Sequence, residues 1–239
     1  MSTKQEDIIT MFNKIAKTYD LANRILSVGI DKTWRKKACN MAYNLYNKSH
    51  LTSIVDVACG TGDLMIDWKK YASQNGIEID KIVGVDPSVG MMEVGKTKIS
   101  DGVFIEAGAE SMPLEDSSAD IISISYGIRN VVKRKEGMAE FARVLKPNGL
   151  MVILEFTKDE KTGILRTLKK FYMNNIMPII GGIVSGSRDA YTYLPTSIEE
   201  FITSEQMCEE LREVGLEPIF VKSYNLDMST TFIARKISK

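Results

Sequence analysis

The stretch from Ser53 to Leu64, which contains Asp56-Val57-Ala58-Cys59-Gly60-Thr61-Gly62-Asp63, constrains this chain more than any other. An apolar run of β character, Ser53 to Val57, ends in a carboxylate, a Gly-x-Gly turn follows, and a helix-compatible run opens behind it. Gly60 and Gly62 carry no Cβ, so the backbone of such a turn can come close to a ligand. A dinucleotide turn needs a third glycine, where this chain has Met65, and no Gly-x-x-x-x-Gly-Lys-Ser/Thr phosphate loop occurs. Asp63 stands where the helix begins, a place that suits a carboxylate and opposes a diphosphate.

A cofactor with a positive centre and no phosphate fits this turn, and S-adenosylmethionine (SAM), a sulfonium nucleoside, is the expected one. An ordinary tight turn in an α/β domain is the alternative. The next elements favour the first reading. Lys81 to Asp86 is a second apolar β-run ending in an acid, the position from which a carboxylate accepts ribose hydroxyls. Its separation from the glycines exceeds the expected spacing of about 20 residues, which points to extra residues in the first crossover, around Ala72 to Asp80. A helix follows from Ser88 to Lys98; of its Met91 and Met92, one reads as a nucleoside contact and the other as core. Val103 to Ile105 leads into Glu106-Ala-Gly108-Ala109-Glu110, and Ile121 to Ser125 leads into Tyr126-Gly-Ile-Arg129-Asn130. Ligands in such sheets bind outside the carboxyl ends of the strands. One crevice is therefore expected to collect Asp56, Asp86, Gly108 to Glu110 and Ser125.

The 239 residues, 44% of them hydrophobic, suffice for one α/β domain spanning 1–239. Lys plus Arg and Asp plus Glu are both 31, which argues against a nucleic-acid partner. Cys39, Cys59 and Cys208 are scattered; they suit a reducing, cytoplasmic compartment and have no metal-ligand spacing. Cys59 reads as a small filler of its turn. His50, the only histidine, precedes the first strand, so no Ser/His/Asp or Cys/His triad is expected. Met1 to Asp7 is polar, unlike a signal peptide, and no run of about 18 apolar residues exists.

Residues 5–18 and 31–47 have helical spacing and are expected to cover the crevice as part of a 1–50 helical extension. Residues 53–156 read as β-α-β-α-β-β-α-β, with a helix over 133–145 stopped by Lys146-Pro147-Asn148-Gly149 and a buried strand over 150–154. A less regular insertion on the substrate side spans 157–198. A helix over 203–214 and two strands, 217–224 and 228–235, finish the chain. The pattern gives a Rossmann-like, mostly parallel doubly wound sheet closed by an antiparallel hairpin.

Two longer segments, Tyr19 to Arg35 (Tyr-Asp-Leu-Ala-Asn-Arg-Ile-Leu-Ser-Val-Gly-Ile-Asp-Lys-Thr-Trp-Arg) and Arg143 to Thr157 (Arg-Val-Leu-Lys-Pro-Asn-Gly-Leu-Met-Val-Ile-Leu-Glu-Phe-Thr), resemble the two signatures of the ubiquinone/menaquinone biosynthesis C-methyltransferases, the UbiE/MenG type. Ser125 to Val131 and Tyr191 to Ile198 also resemble family segments, and the likeness runs from about Phe12 onward. It implies a seven-stranded class I SAM-dependent methyltransferase fold. It also implies methylation of a ring carbon on a polyprenylated quinol, demethylmenaquinol first and a 2-methoxy-6-polyprenyl-benzoquinol second. By position it implies that Thr61 lies in the turn, Asp86 holds the ribose, Gly108 and Ala109 line the adenine and Ser125 closes the site; Asp56, Gly60 and Gly62 join the expected cofactor residues from the reading of the turn itself. The chain departs from the family at Gly108, where Asn or Asp is usual and only backbone contacts remain. It departs also at Ala58, where Gly or Cys is frequent, and at Asp31 and Lys32 before Trp34. A SAM enzyme for another small hydrophobic or phenolic acceptor is the alternative, and a binding protein on the same fold, toward which Gly108 leans, is a third reading.

Transfer of an already activated methyl group asks mainly for orientation and exclusion of water. Arg129 either stabilises a quinolate, since a guanidinium keeps its charge at neutral pH, or braces its loop through backbone carbonyls. Tyr191 and Tyr193 either line a ring pocket or pack beneath the insertion. Phe171 to Val184, too short and broken to span a bilayer, has four readings: a cover for the isoprenoid tail, contact with the inner face of the cell membrane, a partner interface, or a core-covering helix pair ended by Pro178 and Gly181. Lys158, Lys161, Lys169 and Lys170 read as a solvated face rather than a lipid patch. A homodimer is the default expectation.

Overall fold

The computed structural model describes residues 3–158, 163–225 and 227–237, so Lys161 lies outside the described residues, as does the side chain of Lys169. Seven strands form the central sheet: β1 Ile54–Val57, β2 Ile82–Asp86, β3 Val103–Glu106, β4 Ala119–Ser125, β5 Leu145–Glu155, β6 Leu216–Tyr224 and β7 Ser229–Lys236. Their order is β3-β2-β1-β4-β5-β7-β6; the first five run parallel, and β7 is antiparallel to both neighbours. The chain moves outward from β1 to β3, then returns to lay β4 on the other side of β1. That reversal opens a crevice at the carboxyl ends. The extra residues of the first crossover form a separate short parallel pair, His50–Leu51 with Glu78–Ile79.

Side chains alternate across the sheet with period two. Val55, Val57, Ile122 and Ile124 face a core completed by Phe141 of helix α5 (Arg134–Val144) and Met207 and Leu211 of α9 (Ser204–Glu213). Ile54, Ile121 and Leu150 face the opposite core, built with Ala42 of α2 (Ile30–Tyr46) and Met65 and Trp68 of α3 (Asp63–Gln74). Helix α9 carries a capping box, with Thr203 Oγ1 accepting from the Gln206 N–H and Gln206 Oε1 accepting from the Thr203 N–H. Helix α4 (Val89–Lys98) is capped by Ser88.

Three expectations needed correction. Helix α1 runs from Thr3 to Leu26, well beyond residue 18, and it covers the crevice over β1 and β2, while α2 packs on the sheet and reaches the carboxyl edge only with its first turns. Strand β5 reaches back through 146–149: Leu145 pairs with Ala119 before a register shift leads to the Ile121–Leu150 pair, with Asn148 at φ +63° in the extra length. The described part of 157–198 is mostly helical: α6 (Ile164–Phe171), a π turn (Tyr172–Ile176), α7 (Met177–Ser185) and α8 (Arg188–Glu199). Pro178 and Gly181 do not end a helix. Pro178 sits in the first turn of α7, directly after the π turn. Gly181 lies so close to the Tyr191 ring that a Cβ there would be 2.2 Å from Tyr191 Cγ. Helices α1, α7 and α8 share a small core of their own through Ile15, Leu26, Met177, Tyr191 and Ile198.

Candidate active site

The turn after β1 brings backbone and strand ends together. Gly60 stands at φ +53°, and a Cβ there would lie 3.1 Å from Met91 Cε. Its N–H donates to Asp86 Oδ2 at 2.8 Å, and the Ser88 N–H donates to Asp86 Oδ1 at 2.7 Å. Burial pushes the Asp86 carboxyl up to about 6, and the Ser88 and Gly60 N–H groups pull the other way. Gly60, Asp86, Gly108, Ala109 and Ser125 all line one crevice, as expected, together with Glu110 and Met91; Met92 is core. Helix α1 closes over it with Gln5, Ile8, Ile9 and Phe12, held down where Asn13 Oδ1 accepts from the Gly90 N–H at 2.7 Å.

The residues present fit SAM. Among the described residues no Lys or Arg lines this crevice, whereas two carboxylates, Asp86 and Glu110, do. A diphosphate would find no counter-charge there, while ribose hydroxyls and a sulfonium would find acceptors and negative potential. Ile8, Ile9, Ala109 and Val131 offer apolar surface for a purine. The crevice holds about 80 Å³, well below the roughly 300 Å³ of a small-ligand site.

A second cavity of about 720 Å³ adjoins the first, and Phe12, Tyr19 and Tyr126 line both. Its other walls include Trp34, Phe156, Tyr172 and both Tyr191 and Tyr193, so these two tyrosines do line a pocket. Tyr126 holds φ +57°, with its ring stacked on Phe156 at 4.6 Å and its hydroxyl 3.0 Å from Ser229 Oγ. Such a backbone conformation in a bulky residue is kept only where its surroundings fix it. Ala58, at φ +50°, faces a similar constraint, and a Cβ on Gly127 would stand 2.6 Å from Ala58 Cβ.

Arg129 lines the larger cavity from a short 3₁₀ turn after β4. Its Nη1 donates to Glu155 Oε1 at 2.5 Å and to the Tyr126 carbonyl at 2.7 Å, and its Nε donates to Ser197 Oγ at 3.3 Å. The guanidinium lies 5.6 Å from the Phe156 ring centroid. Arg129 is thus braced on several sides, while Nη2 has no protein partner among the described residues. Glu155 is fully buried; burial raises its carboxyl, and the Arg129 guanidinium and the Phe156 N–H offset part of that.

Three expected cofactor residues do not reach the crevice. Asp56 lies one residue before the end of β1 and points with Ile54 toward α3: Trp68 Nε1 donates to Ser123 Oγ at 2.9 Å, which donates to Asp56 Oδ1 at 2.7 Å. Burial pushes its carboxyl up to about 7. Thr61 is buried, with its hydroxyl donating to Asp20 at 2.6 Å, and a Cβ on Gly62 would meet Ile99 at 2.7 Å. Asp63 faces a charge network of Arg24, Arg35 and Lys98 rather than a ligand. The exclusion of phosphate rests on the crevice walls, not on Asp63. Sequence reasoning missed Phe12, Tyr19 and Tyr126 as shared walls. The spacing of Phe12 and Tyr19, two turns apart on α1, was a readable signal; the φ of Tyr126 was not.

Comparison with known proteins agrees with this geometry. The profile of the ubiE/COQ5 methyltransferase family matches residues 1–236. The chain is 52% identical over 234 residues, 98% of it and 99% of the relative, to the ubiquinone/menaquinone biosynthesis C-methyltransferase UbiE of Campylobacter jejuni subsp. jejuni (strain 81-176). It is 35% identical over 232 residues, 97% of it and 93% of the relative, to the demethylmenaquinone methyltransferase of Chlorobaculum tepidum. Among solved structures, a possible histamine N-methyltransferase of Thermotoga maritima superimposes with a TM-score of 0.61 at 16% identity, covering 95% of this chain and 98% of that one. The putative methyltransferase complexed with Trm112 from Haloferax volcanii does so with a TM-score of 0.64 at 13% identity, covering 94% and 98%; at such identities the likeness speaks for the fold. Kinship along nearly the whole length, on a sheet of this topology, makes the chain a SAM-dependent methyltransferase that belongs to the ubiE/COQ5 methyltransferase family.

Proposed function

We propose that this enzyme methylates a ring carbon of a polyprenylated quinol, demethylmenaquinol in the first place and a 2-methoxy-6-polyprenyl-benzoquinol in the second. One observation carries the reading: an aromatic-walled cavity of about 720 Å³ meets the nucleoside crevice across Phe12, Tyr19 and Tyr126 and has Arg129 in its wall. SAM, when bound, supplies a methyl group already activated on sulfur. The chain supplies position and charge. Asp86 and the Gly60 turn hold the nucleoside, α1 excludes water, and the stacked Tyr126 and Phe156 orient a flat ring. A quinol carbon becomes nucleophilic once a neighbouring hydroxyl has lost its proton to solvent, and Arg129 Nη2 is the donor that stabilises the resulting oxyanion; the proton of the methylated ring carbon leaves to solvent as the ring regains aromaticity. Glu155 keeps the guanidinium in place. Incubation with labelled SAM and demethylmenaquinol, beside the benzoquinol and a simple phenol, tests this. Label is expected in the naphthoquinol ring first; label in the phenol alone would move the enzyme to another acceptor class.

We also propose that the tail end of the cavity faces a bilayer. Among the described residues no helix is long and apolar enough to cross a membrane. Ile164, Leu168 and Phe171 of α6 and Ile176, Ile179 and Ile183 around α7 are nevertheless exposed along one helical stripe, whereas Met177 is buried. Val28, 89% exposed, also lines the larger cavity, so the cavity opens beside the Leu26 carbonyl that accepts from the Tyr172 hydroxyl at 3.0 Å. No charged residue interrupts Phe171 to Ser187, and Lys170 and Arg188 flank it, a pattern suited to an interface. Wild type is expected to sediment with anionic vesicles and Ile179→Asp/Ile183→Asp to stay in solution. A monomer-forming effect of the variant, without vesicle binding by wild type, would assign the stripe to a second copy of the chain instead.

A further inference from the structure

The orientation of the nucleoside follows from the sheet order. The larger cavity meets the crevice at Tyr126, just after β4, so the reacting end of the cofactor lies on the β4 side. Asp86 on β2 takes the ribose, and the base then falls over the loop that follows β3. That loop carries Gly108 and Glu110. A Cβ on Gly108 would lie 2.6 Å from Glu110 Oε2 and 3.0 Å from Glu110 Cδ. The Glu110 carboxylate therefore folds back over Gly108 and has room there only because residue 108 is glycine. Among the described residues it accepts no hydrogen bond and forms no ion pair, whereas Asp86 and Glu155 are both bonded.

We infer that Glu110 is the base-selecting residue of the cofactor site, its carboxylate accepting from the exocyclic amine of adenine in the space a side chain at 108 would otherwise occupy. An ionised carboxylate only accepts, so at the exocyclic position it matches the 6-amino group of adenine and opposes the 6-carbonyl of a 6-oxo purine, which leaves only N1–H as a donor. The orientation rests on the larger cavity being the acceptor site, as proposed above. The inference also supplies a physical reason for glycine at 108: the chain keeps an acceptor at this edge, on the residue two positions later.

Calorimetric titration of the full chain with S-adenosylhomocysteine and S-inosylhomocysteine tests it without turnover. Wild type is expected to bind the adenosyl compound about 100-fold more tightly, the size of one hydrogen bond to a charged group plus the repulsion avoided. Glu110→Ala is expected to lose about 30-fold in adenosyl affinity and to gain or hold inosyl affinity. Glu110→Gln, whose amide both donates and accepts, should bind the two nearly equally. Gly108→Ala should displace the carboxylate and reproduce the Glu110→Ala result with an unchanged melting temperature. Equal adenosyl binding by wild type and Glu110→Ala, or wild-type indifference to the base, overturns the inference. Failure to methylate quinols alongside an intact adenosyl preference would refute the acceptor proposal alone.

Discussion

Two aspartates at opposite edges of one sheet differ in how completely their surroundings satisfy them. Asp120, at the amino edge of β4, is 5% exposed, and Asp86, at the carboxyl edge of β2, is 6% exposed. Asp120 is saturated: it accepts from the Tyr46 hydroxyl at 2.6 Å, the Thr52 N–H at 2.7 Å, the Thr52 hydroxyl at 2.8 Å, the Ser53 N–H at 3.0 Å and Lys146 at 3.0 Å. Asp86 accepts two backbone N–H groups and keeps lone pairs for hydroxyls. Burial alone would raise both carboxyls. At Asp120 the bonds from Tyr46, Ser53, Thr52 and Lys146 win and hold it well below the usual carboxylate range, whereas at Asp86 burial wins. Asp120 is fully satisfied nearer the surface, whereas Asp86 lies deeper with lone pairs to spare.

The largest way to break the comparison is Asp120→Ala, which leaves Lys146, Tyr46 and two backbone N–H groups without their acceptor. Removing one partner of such a network costs about 3–5 kcal/mol, so melting is expected about 10 °C lower in calorimetry, with SAM affinity of the folded protein unchanged. A shift under about 2 °C would mean the clamp holds little. Asp86→Ala should do the reverse. SAM affinity is expected to fall about 100-fold, as two hydroxyls lose a charged acceptor, while melting moves far less than in Asp120→Ala. A large melting shift with intact SAM binding would make Asp86 a second clamp.

Much of this contrast was readable in the sequence, and the misses have physical causes. Asp86 closes an apolar run and faces outward at the strand end, so position alone found it. Asp56 was grouped with it, yet it stands one residue before the end of β1, and the period of two turns it under Trp68. The strands and the terminal hairpin followed from runs and turns, whereas the order of the strands comes from the structure. The helices α6 to α8 did not, because Pro178, Gly181 and Pro195 look like breakers, and only the seat of Tyr191 against Gly181 shows why a glycine lies mid-helix. Arg129 was legible as a residue just after β4 at the carboxyl edge, but its partners Glu155 and Ser197 come from distant segments.

Glu155 sharpens the comparison as a carboxylate of intermediate kind, bonded like a clamp but bonded to Arg129, which lines the larger cavity. Glu155→Gln keeps the shape and removes the charge that anchors Arg129. Turnover of quinol is expected to fall about 30-fold, roughly 2 kcal/mol of lost charge-assisted bonding, with SAM affinity unchanged. As a positioning residue, Glu155 should also reveal itself in the pH profile, the variant losing rate least at high pH, where the quinol ionises without help. A uniform loss across pH, accompanied by a lower melting temperature, would reduce Glu155 to a structural role.

The smallest expected effect is the most direct test of the pair, because the two aspartates should respond to acid in opposite directions. The Asp120 carboxyl is depressed in the folded chain, so its stabilisation is present above about pH 4, the unfolded value, and is lost as pH falls below it. The Asp86 carboxyl is raised to about 6, so the folded chain without cofactor is relieved by its protonation, and that relief disappears as pH rises from about 4 through 6. Asp56, raised to about 7, adds to the same slope, and Asp56→Asn should remove its share while leaving the Asp86 share. Cofactor binding carries the opposite sign from apo stability at Asp86, because ribose hydroxyls donate best to the ionised carboxylate. SAM affinity measured by calorimetry should therefore be about tenfold weaker at pH 5 than at pH 7, with Asp86→Asn flattening that dependence. Equal affinity at the two pH values in the wild type, together with flat melting of the cofactor-free chain, would mean that the carboxylate at the crevice is as fully satisfied as the clamp at the far edge.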